Sequence, residues 1–168
     1  CGYHGWHEWY IGKTSMNAGI PNEMFINTKT FKYNDIKSFE KVFKKNKPNI
    51  AAVILEPMNV EWPNIKFLKK IRAMCSKNKS ILIFDEICTG FRFSLGGAQK
   101  LFGITPDLTT LGKGMGNGFP IAALVGKRKI MKKCNKIFFS STFGGETLSL
   151  VAAISVIDFI KKNKVIKR

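Results

Sequence analysis

Four strand-length apolar runs, at residues 50–55, 80–84, 108–111 and 121–125, constrain this chain more than any other feature. Helix-period segments lie before and between the first two. Residues 35–46 place Ile36, Phe39, Val42 and Phe43 on one helical face and stop at Asn46–Pro48. Residues 65–75 repeat the pattern with Ile65, Leu68, Ile71, Met74 and Cys75, and Pro63 signals their start. An apolar-rich helix is expected over 146–162. Buried strands separated by amphipathic helices pair in parallel through crossovers. The pattern therefore predicts an α/β fold of three layers, a mostly parallel sheet flanked by helices. No repeat or low-complexity linker interrupts it, and 168 residues suit one domain or a large piece of one.

The chemistry-bearing residues gather where such sheets bind ligands, beyond the C-terminal ends of the strands. The run Ile81-Leu82-Ile83-Phe84 reads as a strand buried on both faces, and it runs straight into Asp85-Glu86. Two acids at the end of an apolar strand need partners. A helix cap or a salt bridge would satisfy them, and so would a cationic group of a ligand. After the third run comes Gly112-Lys113-Gly114-Met115-Gly116-Asn117-Gly118, with four glycines in seven residues. Such a backbone turns sharply and approaches a ligand closely. Its spacing is not that of a Walker A loop. A lysine there, shielded from water, can lose its proton and form a Schiff base; a flexible loop with a solvated lysine is the plainer alternative.

Charge has to be weighed before it is given a function. The chain carries 28 Lys+Arg against 11 Asp+Glu, a net charge of +17. Only four of the basic residues are arginine (72, 92, 128 and 168), although arginine is the residue suited to bidentate phosphate and base recognition. From Asp85 to Gly126 three positive residues balance three negative ones. The surplus lies in stretches such as 41–47, 127–133 and 161–168, which read as solvated faces. Abundant Lys, Ile, Asn and Phe fit an A/T-rich coding bias. A nucleic-acid-binding module, which would interleave basic and aromatic residues on one surface, is thereby disfavoured. No apolar run reaches the roughly 18 residues of a membrane span. Cys1, Cys75, Cys88 and Cys134 form neither a CxxC nor a Cys/His cluster. A reducing, cytoplasmic setting is expected, with no disulfide framework and no metal site.

The stretch ILIFDEICTGFR…TPDLTTLGKGMGNG, with CGYHGWHEWY before it and SSTFGGETLSL after it, resembles the class III aminotransferases. It is most similar to the branch around glutamate-1-semialdehyde aminomutase. The resemblance covers nearly the whole chain and implies the aspartate-aminotransferase type of fold and the cofactor pyridoxal 5′-phosphate (PLP). It implies transfer of an amino group from an amino donor to a carbonyl acceptor, or intramolecular transfer if the chain is an aminomutase of tetrapyrrole-precursor synthesis. It further implies a homodimer. On this reading both ends of the sequence are internal: residues 1–168 form part of a PLP-binding large domain, without its N-terminal part and its small C-terminal domain.

The resemblance also assigns roles. Lys113 matches the lysine that forms an internal aldimine with PLP and then serves as general base and acid. Asp85 matches the carboxylate that pairs with the protonated pyridine nitrogen and keeps the ring an electron sink. Ile87, two residues on and so expected on the same side of the strand, matches the aliphatic residue against one ring face. Tyr3 matches the aromatic residue on the other face. Ser141 and Thr142 match hydroxyls that reach the cofactor phosphate of the neighbouring subunit. Glu56 matches an acid near the site, and His4 a residue beside the cofactor. His7, Trp6, Trp9 and Trp62 read as surface or packing residues. Cys88 stands where relatives vary. Arg92 reads as a structural ion pair before a substrate-carboxylate ligand.

Overall fold

A computed structural model describes residues 2–167; Cys1 and Arg168, and with them the ends of the sequence reading, lie outside the described residues. The chain runs through α1 (Glu8–Ile11), α2 (Ile36–Asn46), β1 (Ala52–Leu55), α3 (Ile65–Asn78), β2 (Ile81–Asp85), α4 (Gly97–Phe102), β3 (Leu108–Leu111), β4 (Ala123–Gly126), α5 (Arg128–Met131) and α6 (Thr147–Asn163). The sheet order is β1-β2-β3-β4. The first three strands are parallel, Val53 facing Leu82 and Asp85 facing Thr110, whereas β4 runs antiparallel to β3.

Local chemistry explains the helix starts. The Asp35 side chain caps α2 by accepting from Ser38 N at 2.9 Å, and Asn64 caps α3 by accepting from Lys66 N at 2.9 Å. Pro63 therefore stands before the cap and outside the first turn. Glu146 caps α6, accepting from the Leu148 and Ser149 amides.

The apolar face of α2 gives Phe39 and Phe43 to the core, and α3 gives Phe67, Leu68, Ile71 and Cys75. They close over Val53, Leu55, Leu82 and Phe84 of β1 and β2. Ile81 and Ile83 point to the other face and remain half-buried, so β2 is not sealed on both sides as its sequence predicts. The reason is positional: α2 and α3 share one face, while α6 packs against the turn at Lys113–Met115.

Below the sheet, Asp107 ties three elements together. Its carboxylate accepts from Arg72 Nη1 at 2.8 Å, from Lys127 Nζ at 2.6 Å and from Leu82 N at 2.8 Å. Burial pushes this carboxyl up, yet the Leu82 amide and the two cations hold it below its ordinary value. This network lies at the N-terminal end of β3, opposite the glycine-rich turn.

Candidate active site

Three parallel strands end side by side, and each delivers a polar group to the same edge. Glu56 follows β1, Asp85 closes β2, and Lys113 stands two residues past β3. Asp85 is 6% exposed and has partners on both oxygens. Its Oδ2 meets His4 Nδ1 at 2.8 Å, while Oδ1 accepts from Thr110 Oγ1 at 3.0 Å and from Ile87 N at 3.1 Å. Burial alone would raise this carboxyl, but the His4 hydrogen bond, the Ile87 amide and the Thr110 hydroxyl bring it below its ordinary value. It is a carboxylate at neutral pH.

The adjacent acid does the opposite job. Glu86 is fully buried and accepts from Thr89 Oγ1 at 2.9 Å, from Gln99 N and Gln99 Nε2 at 3.1 Å each, and from the Ala98 amide. It anchors the first turn of α4. The acid pair thus divides into one carboxylate for the site and one for the scaffold.

Lys113 has its backbone in the left-handed region, at φ 39°, in a single turn of 3-10 helix. Its Nζ donates to Cys88 Sγ at 2.7 Å. That hydrogen bond raises the amine above its ordinary value; burial opposes the rise, and the nearby charges of Glu56 and Asp85 add to it. The sequence leaves open a lysine shielded from water and ready to lose its proton, or a solvated one; here the side chain is exposed and carries its charge among acidic neighbours.

The N-terminal segment forms the wall beside Asp85. Gly2 packs against Glu56, and Tyr3 N donates to Glu56 Oε1 at 3.0 Å. Glu56 also accepts from Asn59 Nδ2. The Tyr3 ring is 60% exposed and meets Tyr10 edge-on at 5.7 Å. Trp9 stacks on His4 at 6.2 Å, so it braces the histidine that holds Asp85. Trp6 stacks on His7 at 4.7 Å near the surface, and Trp62 contacts Phe93 and Phe102. Among the described residues no three His, Cys, Asp or Glu side chains converge on a metal-binding geometry, and no helix is long and apolar enough to cross a membrane.

Ile87 reaches the site by another route than the pleat. β2 stops at Asp85, and Ile87 lies in the following turn with its side chain against Gly112. A Cβ at Gly112 would come within 3.0 Å of Ile87 Cδ1, and one at Gly90 within 2.7 Å of Leu111 Cδ2 and 2.9 Å of Glu86 O. These two glycines let the turns after β2 and β3 interlock.

Ser141 and Thr142 stay away from this cluster. Both are exposed in the turn before α6, where Gly144 N donates to Ser141 O at 3.1 Å. Arg92 is exposed beside Gly114 and has no ion pair among the described residues. The structural ion pair expected of it belongs to Arg72 instead. Thr110 and the Cys88–Lys113 contact are absent from the sequence reading. Thr110 could be found only through the strand register, which puts it opposite Asp85.

Residues 6–168 match the profile of the family described as Aminotransferase class-III. The chain is 42% identical over 172 residues to a 3-aminobutyryl-CoA aminotransferase from Cloacimonas acidaminovorans, covering 98% of this chain and 41% of that protein. It is 39% identical over 180 residues to a glutamate-1-semialdehyde 2,1-aminomutase from Methanococcoides burtonii, covering 98% of this chain and 43% of that protein. Among solved structures, the PLP internal aldimine form of the FumI protein of Sphingopyxis sp. MTA144 superposes with a TM-score of 0.87 at 30% identity, over 95% of this chain and 39% of that one. The chain spans about two fifths of the length of these relatives. On its residues, its sheet and these likenesses together, the chain belongs to the class III aminotransferases.

Proposed function

We propose that the protein carrying this chain is a PLP-dependent aminotransferase that moves an amino group from an amino donor to a carbonyl acceptor. The observation that carries this reading is the gathering of a buried carboxylate, Asp85, and a lysine amine, Lys113, at the ends of adjacent parallel strands. The residues present fit the cofactor. Asp85, ionised and held by His4 and Thr110, suits a protonated pyridine nitrogen, and Lys113 supplies a primary amine of the kind that condenses with an aldehyde to a Schiff base. Bound PLP supplies an electrophilic carbonyl and an electron sink.

This chain's residues do the rest. Asp85 would hold the ring nitrogen, with His4 and Thr110 keeping Asp85 in place. Tyr3 and Ile87 would supply the side chains against its faces. Lys113 Nζ moves a proton at the substrate Cα. Because Lys113 is held charged, it must shed a proton before it can act, and Cys88, Glu56 and Asp85 set the pH at which it does. The test is borohydride reduction of the complete protein with PLP, followed by peptide mapping. The cofactor should be fixed to Lys113, and Lys113→Ala should abolish the adduct; fixation to another lysine would refute the assignment.

A second reading is intramolecular amino transfer. The 39% identity to an aminomutase, close to the 42% identity to an aminotransferase, favours keeping it. Turnover of a single substrate without an added amino acceptor would select it.

The protein acts as a homodimer. Ile137, Phe138, Phe139 and Phe143 are 60%, 96%, 84% and 55% exposed, around Ser141 and Thr142. An apolar cluster of this size suits a subunit contact and would carry both hydroxyls to the partner's cofactor phosphate. The unpaired Cys75, Cys88 and Cys134 support a reducing, cytoplasmic setting.

A further inference from the structure

The Lys113–Cys88 contact joins two turns that are each fixed independently. On the β2 side, Ile87 N donates to Asp85 Oδ1 at 3.1 Å, Thr89 Oγ1 to Glu86 Oε2 at 2.9 Å and Gly90 N to Glu86 O at 2.8 Å. Cys88 sits inside this lattice of bonds, half-buried. On the β3 side, Met115 N donates to Gly112 O at 2.9 Å and Asn117 N to Lys113 O at 2.8 Å. Lys113 and Asn117 both have positive φ, 39° and 46°, as does Phe91 at 61° across the seam. Non-glycine residues keep such conformations only where their surroundings over-determine them. Gly90 and Gly112 then lock one turn against the other. Neither backbone is placed to swing away, so Cys88 stays within reach of the amine.

The groups facing the amine are few. Asp85 closes β2, Glu56 follows β1, and both act on Nζ through their charge. Arg92 lies beside Gly114 on the surface side. Among the described residues Cys88 is the hydrogen-bond partner of Nζ. A four-carbon stem has many rotamers, and an acceptor at hydrogen-bond distance favours those that reach it.

We propose that Cys88 is a positioning residue for Lys113: its sulfur accepts the hydrogen bond that aims the amine along the edge shared with Asp85, and it governs how readily that amine reacts. The link to catalysis rests on the reading of Lys113 as the cofactor-bonding amine, but the contact itself does not. The direction in which the amine's proton affinity is displaced agrees with it.

The experiment is competitive acetylation of the cofactor-free complete protein by acetic anhydride, across pH, with the Lys113 peptide quantified by mass spectrometry. Lys70, paired with Glu40 at 2.9 Å, serves as an internal reporter of intact folding. In Cys88→Ala, Lys113 should label severalfold faster than in the unaltered protein at the same pH, with its labelling midpoint displaced downward and Lys70 unchanged. Cys88→Ser keeps an acceptor and should restore part of the protection; if the alanine variant does not fold, the serine variant carries the comparison. Equal Lys113 rates in all three proteins would overturn the proposal, as would a change produced by Asp85→Asn and not by either Cys88 variant. A faster Lys113 in Cys88→Ala together with no borohydride-fixed PLP in any variant would sustain the positioning role and refute the cofactor reading instead.

Discussion

Thr110 stands opposite Asp85 in the parallel register of β2 and β3 and donates its hydroxyl to Asp85 Oδ1 at 3.0 Å. The same oxygen accepts from Ile87 N, and the other is paired with His4. The adjoining strand thus takes part in holding the Asp85 carboxylate at the edge it shares with Lys113.

Thr110→Val keeps the shape and removes this bond. A hydrogen bond to a charged group contributes about 1.5–3 kcal/mol, so the variant should lose roughly that much stability at neutral pH. The pH dependence has a definite sign. The Asp85 carboxyl is lowered in the folded protein, so its stabilising effect is complete above the unfolded-chain value and is lost as pH falls through the folded value. Thr110→Val brings the folded value back toward the ordinary one, so acid unfolding should begin at higher pH. An acid titration followed by circular dichroism checks this; an unchanged acid midpoint would count against the assigned partner.

Glu86 should behave as a scaffold residue. Glu86→Ala leaves the Ala98 and Gln99 amides and the Thr89 hydroxyl without their buried acceptor. Each unsatisfied buried group costs about 1–3 kcal/mol, so for these three a loss of at least roughly 3 kcal/mol is expected in urea unfolding. A loss below about 1 kcal/mol would show that α4 finds other caps. Asp85→Ala likewise takes the acceptor from His4, Thr110 and the Ile87 amide and should destabilise the fold, but unlike Glu86→Ala it should impair PLP retention beyond that loss.

How far the sequence leads depends on the range of the interaction. The α2 helix and the bounds of β3 follow from local periodicity and composition, and the Asp35 cap is set by a neighbouring amide. Pro63 points to α3 but overshoots its start, because Asn64 is the cap. The α4 helix has six residues bounded by Gly96 and Gly103, too few to set up a hydrophobic period. Ile87 defeats the alternation rule because the strand ends before it. The antiparallel course of β4, the Thr110–Asp85 pair and the Cys88–Lys113 contact all depend on strand register, which one strand's sequence does not contain. Where residues were found without register, as with Asp85 and Lys113, their position at strand ends next to acids or glycines marked them.

The seam between the two site turns gives a third prediction. Gly90→Ala would put a Cβ 2.9 Å from Glu86 O, a backbone atom that cannot easily yield, and 2.7 Å from Leu111 Cδ2. Overpacking of this kind costs about 1–3 kcal/mol. The turns should part, and Lys113 should lose Cys88. The variant is therefore expected to show faster Lys113 acetylation along with its lower stability. Lower stability with unchanged labelling would mean that the seam supports the fold and leaves the amine where it was.

The last prediction concerns the apolar turn ahead of α6. Phe138 and Phe139 are 96% and 84% exposed, more than a solvent-facing turn has reason to leave open in pairs. Full burial of a phenylalanine side chain contributes about 1.5–3 kcal/mol, so two per subunit make a substantial part of a contact repeated about a two-fold axis. Phe138→Ser with Phe139→Ser should shift the complete protein from dimer toward monomer in sedimentation velocity at low micromolar concentration. On the proposed dimer this contact would also carry Ser141 and Thr142, so PLP retention should fall with dimer content and recover as protein concentration rises. Replacement of Thr142 alone by Val should weaken PLP retention while leaving the dimer intact, since its hydroxyl has no partner element within its own subunit's site cluster. A double Phe variant that remains dimeric at every concentration would place the subunit contact elsewhere on the molecule.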